Sequence, residues 1–193
     1  MRLHTGHPLP RQMVETVSRW DRGNLTPGWL DEVPRTVADL CDTWKIEIDH
    51  VVPNTYMTLV ALGHADVLGP VVIKLSALAD EFLCEATALR LGAGDNVARV
   101  YDLDIERSAM VIERIVPGTQ LREAAMPDDE ATRLAAETVA TFWREVPDPV
   151  NLHPLRRWMR ALFEWSPRPD LIDPELIQRA RDLAEALLAR STR

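Results

Sequence analysis

A change of hydrophobic period at Ile46 constrains this chain more than any other feature of it. Before that point apolar residues recur at helical spacing, first as Met13, Val14, Val17 and Trp20, then as Trp29, Leu30, Val33, Val37, Leu40, Cys41 and Trp44. From Ile46 the pattern is that of strands: IEIDHVV, YMTLVAL, PVVIKL, VARVYDLD and AMVIERIV are short, apolar or alternating, and bounded by turn residues. One helical segment, DEFLCEATALRL, separates the third from the fourth, and Gly92 and Gly94 stop it. Pro117-Gly118 breaks the last strand, and beyond it only helical periodicity remains, over 129–146, 152–165 and 173–190. Helices, then five strands interrupted by one helix, then helices again make an α+β chain. In finer detail, the first two helices are predicted over 9–20 and 36–45, with Pro34 near a helix start. Pro53-Asn54-Thr55 reads as a turn, 63–69 as a loop between strands, and 21–27 as turn chemistry.

Composition narrows the function. Hydrophobic residues at 46% and charged residues at 27% allow an ordinary packed core. A formal net charge of -8 argues against a nucleic-acid binder, which would normally show a basic stripe. It leaves nucleotide binding open, since one lysine and a few N–H groups can hold phosphates, and it suits a cationic small molecule. Cys41 and Cys84 lie in helical segments without a CxxC or Cys/His partner, so reduced thiols are expected, with neither a disulfide nor a metal site. The first residues carry no signal-peptide core and no later segment is a membrane span, which makes the cytoplasm the expected compartment.

The order of the elements carries the chemistry. Two strands joined by a turn precede a strand ending in Val-Ile-Lys; a helix with acidic early turns follows, then two strands and a chain exit at Glu113-Arg114-Ile115. That is the layout of a protein-kinase-like small lobe, a five-stranded antiparallel sheet with one helix. A lysine on a stiff strand is a fixed positive charge for nucleotide phosphates, and a carboxylate on the facing helix locks its rotamer. Lys74 has Lys45 as its only fellow lysine. Glu81 and Glu85 share a helix face and either could be the partner; Glu85, mid-helix beside the apolar positions, is preferred.

The runs WLDEVPRTVADLCDTWKIEID, VVIKL, EATALRL, ARVYDLD and MVIERIVPGTQL resemble the aminoglycoside/hydroxyurea antibiotic resistance kinases, the streptomycin 6-phosphotransferase type, in their N-terminal portion. The resemblance implies that Lys74 holds ATP phosphates and that Glu85 pairs with it. It also implies that the backbone of Glu113 and Ile115 hydrogen-bonds adenine, and that Val60, Val72 and Ile112 wall the base. It divides the chain into N-terminal helices (1–45), a nucleotide-binding small lobe (46–120) and the helical start of an incomplete large lobe (121–193).

Two departures stand against the pattern. Residues 52–56 lack the family's glycine- or serine-rich turn, so Asn54 and Thr55 side chains are the donors expected to meet phosphate there. The family's H-G-D loop and its magnesium aspartate do not occur in the sequence; His64-Ala65-Asp66 precedes the lysine strand, and His153 has no aspartate two residues on. Without those groups to position the acceptor and neutralise charge, phosphoryl transfer by these residues alone is expected to fail. The chain is therefore expected to be part of an ATP-dependent phosphotransferase acting on a hydroxyl of an aminoglycoside-like molecule, with no catalytic or metal-binding residue of its own. The alternative is a non-catalytic kinase-like module for nucleotide binding or partner interaction. Apolar stripes on the last helices, with Leu176, Leu183 and Leu187, are expected to favour a homodimer.

Overall fold

Val71, Ile73 and Leu75 are fully buried while Val72 and Lys74 between them are only partly covered, so the strand they share has two unlike faces. That alternation organises the fold in the computed structural model of the chain. The structure describes residues 1–20, 24–92, 96–142, 145–147, 152–166 and 171–191. Asp21 to Gly23 of the expected turn, together with Gly94 and Trp143, lie outside the described residues. Two units divide the chain, Met1–Asn151 and Leu152–Arg193.

In the first unit α1 (Arg11–Ser18) and α2 (Trp29–Trp44) precede β1 (Ile46–Val51), β2 (Thr58–Ala65) and β3 (Gly69–Ser76). Then come α3 (Ala79–Leu91), β4 (Val100–Asp104), β5 (Ala109–Glu113) and α4 (Asp128–Phe142). The strands form one antiparallel sheet in the order β1-β2-β3-β5-β4. Met13, Val17, Val33, Val37, Leu40 and Cys41 from the two N-terminal helices share one core with Leu59, Ala61, Val71, Ile73, Leu75 and Val111 of the sheet. On the opposite face Phe82 and Ala86 of α3 bury Met110, with Leu103 and Ile112 beside them. A fully buried Phe82 contributes about 2–3 kcal/mol of transfer free energy, so the placement of α3 is strongly determined.

The switch of period at Ile46 has a local cause. Lys45 takes the left-handed conformation, φ 53°, and donates its N–H to the Cys41 carbonyl, closing α2 before β1 begins.

Several element boundaries differ from expectation. Helix α1 covers Arg11–Ser18 rather than 9–20, β4 starts at Val100 rather than 97, and α4 ends at Phe142 rather than 146. Three more differences bear on the fold. Helix α2 starts at Trp29 rather than near residue 36 and carries Pro34 inside it. The left-handed Gly28, whose carbonyl accepts from the N–H groups of Asp31 and Glu32, opens that helix, and burial of Val33 holds its first turns. Residues 63–69 are not a loop: β2 continues to Ala65, Asp66, Val67 and Leu68 make the turn, and Gly69 at φ +73° starts β3. Gly63 belongs in the strand because a Cβ there would stand 2.3 Å from the Glu47 carbonyl oxygen of β1. Strand β5 ends at Glu113, short of the expected 116, and Ile115 and Val116 are exposed.

Helix α4 opens on Asp128, Asp129 and Glu130, charges that suit a helix N-terminus. Its Phe142 ring occupies the space a Cβ on Gly92 would need, 2.3 Å from that position. In the second unit α5 (Leu155–Glu164) and α6 (Pro174–Ser191) pack on each other. Ile177, Ala184 and Leu188 of α6 are buried, and Arg156 pairs with Glu185 at 2.7 Å. Leu176, Leu183 and Leu187 remain exposed. No helix among the described residues is long and apolar enough to cross a membrane.

Candidate nucleotide-binding site

Burial of Val71, Ile73 and Leu75 against α1 and α2 forces Val72 and Lys74 onto the face that α3 covers only in part. On α3 the buried Phe82 and Ala86 set the inward stripe, and Glu85 flanks it on the side of Lys74. The Lys74 ammonium donates to Glu85 Oε1 in an ion pair, so of the two candidate glutamates Glu85 takes the lysine. The lysine side chain is 20% exposed and the glutamate 41%. A pair this open contributes little to stability, and its main consequence is to fix the direction of the lysine.

Register places the other residues around that charge. Val60 is opposite Lys74, and Val72 lies between Leu62 and Ile112 on the neighbouring strands. Val60, Leu62, Val72 and Ile112 therefore share the face of Lys74, and all four are half-buried. At one end of this patch stands the β1–β2 connection, closed where the Val52 N–H donates to the Val60 carbonyl at 2.9 Å. The Ala77 N–H donates to the Met57 carbonyl at 2.8 Å, tying the same connection to the end of β3. Asn54 is exposed there, while Thr55 Oγ1 is buried and has no hydrogen-bond partner among the described residues.

At the other end Glu113 lies opposite Val71. Its N–H is already donated to the Arg99 carbonyl at 2.8 Å. In return the Arg99 N–H goes to the Glu113 carboxylate, 3.2 Å away, in place of the Glu113 carbonyl that a regular antiparallel ladder would use. Ile115 follows outside the strand, and Gly118, at φ +68°, lets the chain pass so close that a Cβ would be 2.6 Å from the Ile115 oxygen. From Lys74 to Val71 is three residues of strand, about 10 Å at 3.3 Å per residue. A purine at the 113–115 end and phosphates at the Lys74 end fit that span.

Asp49, His64 and Arg114 at this end, none of them given a role from the sequence, are linked by hydrogen bonds across the sheet. Among the described residues no three His, Cys, Asp or Glu side chains come together as metal ligands.

The fold, a five-stranded antiparallel sheet with a lysine–glutamate pair between its third strand and its helix, defines a kinase-like class. Residues 43–192 match the family described as aminoglycoside/hydroxyurea antibiotic resistance kinase, and the chain belongs to that family. It is 29% identical over 189 residues to a streptomycin 6-kinase of Streptomyces griseus, covering 93% of this chain and 58% of that protein. It is 28% identical over 175 residues to a streptomycin 6-kinase of Streptomyces glaucescens, covering 86% of this chain and 54% of that protein. The chain spans a little over half the length of these relatives.

Proposed function

We propose that this chain supplies the ATP-binding part of a phosphotransferase whose acceptor is a hydroxyl of an aminoglycoside-like small molecule. The observation that carries this reading is the Lys74–Glu85 ion pair, set on the same sheet face as the half-buried Val60, Val72 and Ile112. In this reading the ammonium meets the α- and β-phosphates, and Glu85 keeps it aimed there. Thr55 and Asn54 donate from the β1–β2 connection. The Glu113 carbonyl accepts from the adenine amino group, the Ile115 N–H donates to the ring, and the valines and isoleucine pack against the base. The acceptor class rests on family membership and on the streptomycin 6-kinase relatives.

Phosphoryl transfer also needs a group to orient the acceptor hydroxyl and cations to neutralise charge. The family's H-G-D loop and magnesium aspartate, which would supply them, do not occur in this sequence. We therefore propose further that these 193 residues bind ATP but do not by themselves transfer its γ-phosphate. Titration calorimetry with ATP tests the binding: saturable heat that is lost in Lys74→Met supports it, and no heat with the folded chain refutes it. Incubation with radiolabelled ATP and streptomycin tests the rest, since turnover comparable with a complete kinase would overturn the non-catalytic reading.

A further inference from the structure

Glu47, His64, Pro70 and Arg114 form one row across the sheet. Glu47 is opposite His64, His64 is opposite Pro70, and the Arg114 N–H donates to the Pro70 carbonyl at 3.3 Å. The row lies on the face of Lys74, because His64 and Pro70 alternate with the buried residues of β2 and β3 just as Lys74 does. It closes the 113–115 end of the apolar patch.

Strand β1 carries an irregularity between Ile48 and His50, and Asp49 is the extra residue. A bulge re-aims a side chain, and here it turns the Asp49 carboxylate onto the row. Asp49 Oδ1 lies 3.1 Å from His64 Nδ1, and Oδ2 accepts from Arg114 Nη1 at 3.3 Å. The far side of the imidazole, Nε2, is 3.5 Å from Glu47 Oε2. Arg114 needs this second attachment for a covalent reason. Its backbone partner is Pro70, which has no N–H, so the ladder can hold Arg114 by its own N–H and never by its carbonyl. The side chain, reaching across Pro70 to β1, replaces the missing bond. The residues on either side of Arg114 are the two whose backbone groups face the purine end.

We propose that Asp49, braced by His64, positions the 113–115 backbone through Arg114 and so sets how tightly this chain holds a purine base. Asp49 and Arg114 are positioning residues and touch no phosphate. The inference rests on the reading of this face as a nucleotide site. The pair is open to water, Arg114 34% and Asp49 45% exposed, so it adds little to stability and its effect falls on base recognition.

The test compares calorimetric affinities for ATP and for inorganic triphosphate in the wild-type chain and in Asp49→Asn, Arg114→Ala, Arg114→Lys and the double variant Asp49→Asn/Arg114→Ala. Asp49→Asn and Arg114→Ala are expected to weaken ATP about two- to fivefold, to leave triphosphate unchanged, and to show no additional loss when combined. Arg114→Lys is expected to restore part of the ATP affinity, which a loss of packing would not do. Unchanged ATP affinity in both single variants overturns the inference, and so does a parallel fall in ATP and triphosphate. A wild-type chain that binds triphosphate but not ATP overturns it as well. If the folded wild type binds neither, the nucleotide reading itself has failed, and that outcome is distinct from the others.

Discussion

Replacing Lys74 with methionine separates charge from packing at the centre of the site. Methionine keeps the apolar stem that lies along the sheet and removes the ammonium. The structural cost follows from exposure: Lys74 is 20% and Glu85 41% accessible, so the abandoned carboxylate regains water. A fully buried pair broken this way costs about 3–5 kcal/mol, whereas an open one costs about 0–1 kcal/mol. The melting temperature should fall by no more than about 4 °C for a chain of this size. Binding should respond more strongly. Hydrogen bonds from an ammonium to phosphate contribute about 1.5–3 kcal/mol, so ATP affinity should drop about ten- to 100-fold in calorimetric titration. Lys74→Arg, which keeps the charge but misplaces it, should fall between. A folded Lys74→Met chain that binds ATP as well as the wild type would refute the assignment of the lysine to phosphate.

Phe82→Ala should destabilise the first unit by about 3–5 kcal/mol in denaturant melts, because the ring is fully buried between α3 and the sheet; a change below about 1 kcal/mol would mean that α3 is not anchored there. Burial, assisted by Asp42, pushes the Cys41 thiol up to about 11 from an ordinary value near 9, so the folded chain keeps a proton that the unfolded chain releases. Stability from this group is therefore constant below about pH 9 and declines as pH rises from about 9 towards 11; Cys41→Ala should lack that part of the slope in paired thermal melts. We also propose that the exposed Leu176, Leu183 and Leu187 of α6 favour a homodimer. Sedimentation velocity should show a dimer that Leu183→Glu weakens, and a clean monomer at high concentration would contradict it.

The contact between Lys74 and Glu85 is legible in the sequence because two periods fix it. Strand alternation puts Lys74 opposite the face of Val71 and Ile73, and the helical spacing of Phe82 and Ala86 leaves Glu85 beside the inward stripe. The class of the fold is legible for the same reason. Single residues are harder. Pro34 and Gly63 read as punctuation, yet Pro34 sits within α2, and Gly63 gives the Glu47 carbonyl room inside a strand pair. Neither fact follows from local propensity, since each depends on a tertiary neighbour. The hydrogen-bonded cluster of Asp49, His64 and Arg114 is hidden more deeply. Its members are far apart in the chain, and only a bulge brings Asp49 onto their face. The use of the Glu113 carboxylate to satisfy the Arg99 N–H is likewise invisible without the register of β4 on β5.

The chain has two lysines, Lys45 and Lys74, and this makes one measurement especially direct. An acyl-phosphate derivative of ATP transfers its acyl group to an amine held against the phosphates, and peptide mass spectrometry reads which amine was modified. The account predicts acylation of Lys74, blocked by excess ATP, with Lys45 modified only at the slow rate of an exposed amine. Labelling of Lys45 or the N-terminus alone, or labelling of Lys74 that ATP does not suppress, would contradict it.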